Sequence, residues 1–290
     1  MMGVLNHLST LLLLSLLPPA LSHVVEKFSD VPQCKKFFLE GTTPNLPGIL
    51  VGGTVKDQNR YKPICQLFNN TYRFATLYDT TNRIPVFSAY TFTGNVVGSK
   101  RPINQTWMIE PQLEDIKNQP DMNVYNKAAT HQAADADYKY NNMSMDRGHL
   151  FPCSYAPDDA AKRSTFTLTN IVPQERSFNG GSWNDMECRV RKSLVLNCKK
   201  NNNKIEANVV TGAVPSFNNT LKERVNIPSH LWTAFCCETS KKDKWIAGAY
   251  WGENKKELNK LVLDPITLAK LYEKLKEHYH DGVVKVFPDV

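Results

Sequence analysis

The stretch Asp146-Arg147-Gly148-His149-Leu150 sets an acid, a guanidinium, a glycine and an imidazole in four successive positions. An imidazole titrates near neutral pH and can take a proton from water as a general base. A guanidinium offers a planar fork of donors that matches a phosphate. Gly148 permits a tight backbone conformation that would aim Arg147 and His149 toward one place. Taken alone, so short a string reads better as a surface turn with an incidental histidine.

The segment downstream favours chemistry. Asn170-Ile171-Val172-Pro173-Gln174 closes an apolar run, and Asn179, Trp183, Glu187 and Arg191 follow. Glu187 and Arg191 stand at i and i+4, so a helix puts both on one face. Asn179 lies just ahead of that helix, where its amide could cap the first turn or bind a metal. Magnesium takes oxygen ligands and keeps most of its water. One Asn oxygen would leave the ion's charge nearly undiminished for polarising a phosphate. Trp183 is read as core.

Around this centre the chain reads as α+β. Strands are expected over residues 83–93, 164–172 (ending at Pro173), 207–214, 231–237 and 245–251. Residues 183–196 have the spacing of an amphipathic helix, and Pro265 opens a second helix over 266–278. Residues 23–80 read as loops with a few irregular strands, and 95–140 as a polar surface excursion. The basic runs at 199–204 and 241–244 read as solvated hairpin tips. No repeat or linker divides residues 23–290, which are expected to form one domain.

Residues 1–22 read as a secretory signal: an apolar run over Leu11–Leu17, Pro18-Pro19, then the small-residue site Ala20-Leu21-Ser22. A buried N-terminal helix is the alternative. No later stretch is apolar for long enough to span a bilayer. Export suits the seven cysteines, which allow three disulfides and one free thiol with connectivity left open. It also suits the four glycosylation sequons at Asn69, Asn104, Asn142 and Asn218. Charged residues make up 22% and hydrophobic residues 41%, a globular balance rather than a disordered one. The net charge of +7 suits a polyanionic partner.

Asp146-Arg147-Gly148-His149, Asn170-x-x-Pro173-Gln174 and Asn179…Trp183…Glu187 together resemble the DNA/RNA non-specific endonuclease family, the ββα-metal or His-Me finger nucleases. Asn179 follows His149 by 30 positions and Glu187 follows by eight more, similar to the family spacing. Within the family, the leader, cysteines and sequons are similar to a vertebrate group, the endonuclease domain-containing 1 proteins. The resemblance implies a ββα-metal fold with a central antiparallel sheet and flanking helices. It further implies His149 as general base, Asn179 as the direct ligand of Mg²⁺ (or Mn²⁺), and Glu187 acting on that ion through water. Arg147 and Arg191 would contact phosphate oxygens and steady the transition state, with Arg83 a further substrate arginine; Asp146, Asn170 and Gln174 would support the site. The implied activity is a secreted, Mg²⁺-dependent nuclease that hydrolyses phosphodiester bonds of DNA or RNA without reading base sequence. The alternative is a secreted glycoprotein that keeps the fold and binds nucleic acid without efficient turnover. Gly180 stands where the family often has glutamine, Leu150-Phe151-Pro152-Cys153 replaces small residues, and Cys188 adjoins Glu187.

Overall fold

The computed structural model describes residues 23–94, 101–103, 105–124, 129–202, 204–241, 244–259, 261–279 and 282–288. The expected signal at 1–22 and the sequon at Asn104 lie outside the described residues. In chain order the main strands are β1 (Tyr61–Phe68), β2 (Thr71–Asp79), β3 (Ile84–Phe92), β4 (Met145–His149), β5 (Ile171–Glu175), β6 (Ala207–Val214), β7 (His230–Glu238) and β8 (Trp245–Glu253). The longer helices are α1 (Asn184–Asn197) and α2 (Leu268–Lys276).

Six strands make one antiparallel sheet in the order β8-β7-β6-β3-β2-β1. Both faces are covered, so successive side chains enter different cores. On β3, Tyr90 and Phe92 enter one core while Phe87 and Ala89 enter the other. α1 packs Met186, Val190 and Leu194 into the first core. α2 packs Leu268, Leu271 and Leu275 into the second, beside Phe28, Phe37 and Phe38 of the N-terminal segment. A central antiparallel sheet flanked by helices is the α+β arrangement expected.

Several expectations need correction. Residues 61–79, taken as irregular, are two full strands. Their hairpin turns at Asn69 and Asn70, both left-handed (φ 51° and 55°), a conformation that asparagine tolerates well. Pro63 is accommodated because β1 lies at the sheet edge. The strand expected over 164–172 is instead the end of a short helix (Asp159–Ser164), a 3₁₀ turn (Leu168–Asn170) and only then β5. β5 runs through Pro173 rather than stopping there, since it pairs with β4 alone and leaves one side free of ladder bonds. α2 starts after Thr267, whose hydroxyl accepts the Lys270 N–H at 3.1 Å, while Ile266 pairs with Ala249 of β8.

Two disulfides form rather than three: Cys34–Cys65 ties the N-terminal segment to β1, and Cys198–Cys237 ties the end of α1 to β7. Cys153, Cys188 and Cys236 are free thiols. Asn69, Asn142 and Asn218 are exposed, as glycan acceptors must be.

Candidate active site

β4 and β5 pair as a separate antiparallel ribbon, with Gly148 opposite Val172 and His149 opposite Ile171, and the chain then turns into α1. Gly148 is required by close approach rather than by a turn: a Cβ there would lie 2.2 Å from Oε1 of Gln174 and 2.6 Å from its Cβ. Gln174 is fully buried, and among the described residues neither atom of its amide has a hydrogen-bond partner. Asn170 braces the chain after His149. Its Oδ1 accepts from the Phe151 N–H and the Ser88 hydroxyl, both at 2.9 Å, and its Nδ2 donates to the carbonyls of Phe151 at 3.1 Å and Thr165 at 3.0 Å. Asp146 turns aside to accept from Nε of Arg176 at 3.2 Å.

The His149 ring is partly exposed, but its Nε2 is buried and has no partner. Trp107 packs 5.6 Å and Phe166 5.0 Å from it, centroid to centroid. Burial, reinforced by the positive charge of Arg101, lowers the imidazole to about 3, and the backbone of Arg147 offsets this only partly. His149 is therefore neutral at physiological pH.

The turn before α1 is capped by Glu175, not Asn179: its carboxylate accepts the N–H groups of Ser177 at 2.7 Å and Phe178 at 3.1 Å. Asn179 follows, in a turn of π-helix over Asn179–Trp183. Asn184, Glu187 and Arg191 share a face of α1 one and two turns on. Burial raises the Glu187 carboxyl to about 8, with the Trp183 indole pulling the other way. Trp183 itself is core, 1% exposed.

These groups meet in one cleft of about 530 Å³, lined by His149, Asn179, Glu187, Arg147 and Arg191 together with Arg101 and Lys162. Arg147 lines it with its Nη2 already 2.5 Å from Asp135 Oδ1 and its guanidinium 5.2 Å over Trp107 and 5.4 Å over Tyr138. Arg83 is not brought in. It sits in a left-handed turn (φ 54°), its guanidinium donating to the carbonyls of Thr130 and Arg224, both at 3.1 Å. Asp146 and the buried Asn170 and Gln174 are not among the residues that line the cleft. Sequence reasoning missed Arg101, Trp107 and Lys162, which have no regular spacing to the motif; Asn184 could have been found from its helical offset to Glu187.

For a metal, no group of three His, Cys, Asp or Glu side chains gathers among the described residues. The donors present are the neutral amide oxygens of Asn179 and Asn184 and the carboxyl of Glu187, with the unpartnered imidazole nitrogen of His149 in the same cleft. That set fits a hard divalent cation that keeps most of its water, not a thiolate or multi-histidine site.

Residues 55–280 match the DNA/RNA non-specific endonuclease family. The chain belongs to this family. It is 32% identical over 222 residues to the human endonuclease domain-containing 1 protein and 31% identical over 217 residues to the mouse protein, matches covering 74% and 71% of this chain. They span 40% and 38% of those longer proteins, so the chain accounts for about two fifths of the length of these relatives. A nuclease of Nostoc sp. is 32% identical over 97 residues, 32% of each chain. Among solved structures, a chain of the EndoG/EndoGI complex superposes with a TM-score of 0.53 at 18% identity, covering 72% of this chain and 84% of that one. This last likeness is one of fold. Among the described residues no helix is long and apolar enough to cross a membrane.

Proposed function

We propose that the chain is a secreted, Mg²⁺-dependent nuclease that cleaves the phosphodiester backbone of DNA or RNA without reading base sequence. The observation that carries this is the convergence of His149, Asn179 and Glu187 on one cation-lined cleft. Neutral His149 presents Nε2 as the atom free to accept a proton from the attacking water. Arg191 and Arg101 attract the phosphate and oppose the negative charge that grows on it. Asn179 and Glu187 would hold the Mg²⁺, which when bound polarises the phosphate as a Lewis acid. Contacts to phosphate carry no sequence information, hence the low specificity. The leader and sequons support export.

A second reading, binding without efficient turnover, draws on Arg147, whose guanidinium is already held by Asp135. Plasmid digestion by the purified, glycosylated chain with Mg²⁺ or with EDTA separates the two. Cutting that requires the metal and disappears in His149→Ala supports the enzyme. Retention of plasmid without cutting, unchanged by that substitution, supports the second reading. A protein found inside producing cells with residues 1–22 still attached would refute secretion.

A further inference from the structure

The turn that carries Asn179 is gripped from outside the ββα element by the loop that follows β8. The Glu257 carboxylate accepts the Ser182 N–H at 3.2 Å and is also hydrogen-bonded to the Ser182 hydroxyl. The Glu257 N–H donates to the Ser177 hydroxyl at 2.8 Å. One residue thus holds both sides of the turn, two positions before Asn179 and three after it. The grip is close: a Cβ on Gly181 would lie 2.6 Å from Glu257 Oε2. The same loop is fixed to β5, because Asn254 accepts the Glu175 N–H at 2.8 Å and donates to the Pro173 carbonyl at 3.0 Å. Its far end is tied to α1 by Arg189, which donates to the Leu263 carbonyl at 2.7 Å.

From this we infer that Glu257 is a positioning residue for Asn179, setting where its amide oxygen lies in the cleft and thereby the affinity for the divalent cation. The inference deepens the nuclease reading and rests on its assignment of Asn179 as ligand. Glu257 is not among the residues that line the cleft, so it acts through the turn. Groups that hold a metal ligand in place commonly contribute about 10- to 100-fold in metal affinity.

The test uses the full chain carrying His149→Ala, to silence cutting, with Glu257→Ala, Glu257→Gln or Ser182→Ala added. Two quantities are read: amide hydrogen exchange over residues 177–183 in EDTA, and Mg²⁺ binding by calorimetry. Glu257→Ala is expected to speed exchange in the turn while the β6 and β7 amides stay protected, and to weaken Mg²⁺ binding about tenfold. Glu257→Gln keeps an acceptor for the Ser182 N–H and should recover most of both; Ser182→Ala, which removes one bond, should fall between. Unchanged exchange in Glu257→Ala overturns the inference whether or not metal binds. Faster exchange with unchanged Mg²⁺ affinity also overturns it. Absence of Mg²⁺ binding in the His149→Ala parent refutes the nuclease reading instead, and with it Asn179 as a ligand.

Discussion

Gly148 is the residue on which Gln174 lies, and a side chain of any size there must push Gln174 off β4. Because the obstacle is the Cβ and Cδ of Gln174 and not just its flexible end, Gly148→Ala should destabilise by about 1–3 kcal/mol, measured by urea unfolding. His149 and Glu187 are displaced in opposite directions by the same burial. The His149 value, about 3, lies below that of an unfolded histidine. Its contribution to stability is therefore present above the unfolded value and is lost as pH falls from about 6.5 toward 3. The Glu187 value, about 8, lies above that of an unfolded glutamate. Its contribution is present at low pH and is lost as pH rises from about 4.3 toward 8. In EDTA the melting temperature should decline on the alkaline side, and Glu187→Gln should flatten that decline without changing the acid side. An alkaline limb that is equally steep in Glu187→Gln would show that its carboxyl is already ionised in the metal-free fold.

At the scale of elements, α1 was legible because Met186, Val190 and Leu194 repeat at the helical period and are buried, although Val195, read as part of the same apolar spacing, is exposed. β6, β7 and β8 were legible as apolar runs. β1 and β2 were not, because strands covered on both faces need no alternation, and theirs is broken by Pro63 and by the buried polar side chains of Gln66 and Thr76. Their hydrogen bonds are tertiary: the Gln66 amide nitrogen donates to the Thr169 hydroxyl at 2.8 Å, while its oxygen is left without a partner among the described residues, and the Thr76 hydroxyl pairs with Ser88 on the next strand at 3.1 Å. The Asn69-Asn70 pair was the available hairpin signal. The disulfides act at this scale too. Cys198–Cys237 closes a loop of 39 residues. A Cys198→Ser/Cys237→Ser variant should lose about 3–4 kcal/mol and fray the last turn of α1, seen as lower stability in urea and faster exchange near residue 197.

Across the whole molecule the net charge of +7 becomes specific in the cleft, where Arg101, Arg147, Lys162 and Arg191 surround a single carboxyl. The His149→Ala chain should bind duplexes of unrelated sequence with similar Kd. The logarithm of its affinity should fall with the logarithm of salt by about 0.9 for each phosphate engaged, and Arg191→Ala should lower that slope by about one unit. Strong preference among duplexes, or a slope untouched by Arg191→Ala, would contradict backbone recognition through this cleft.

The sequence alone determined that His149, Asn179, Glu187 and Arg191 come to one cleft, since they belong to one short ribbon-and-helix unit whose spacing is local. Tertiary structure decided what surrounds them: Asp135 on Arg147, Arg101 and Trp107 around His149, Glu257 beneath the Asn179 turn, and the withdrawal of Arg83 to backbone carbonyls. Desolvation and charge depend on neighbours in space, and most of these neighbours come from segments tens of residues away along the chain.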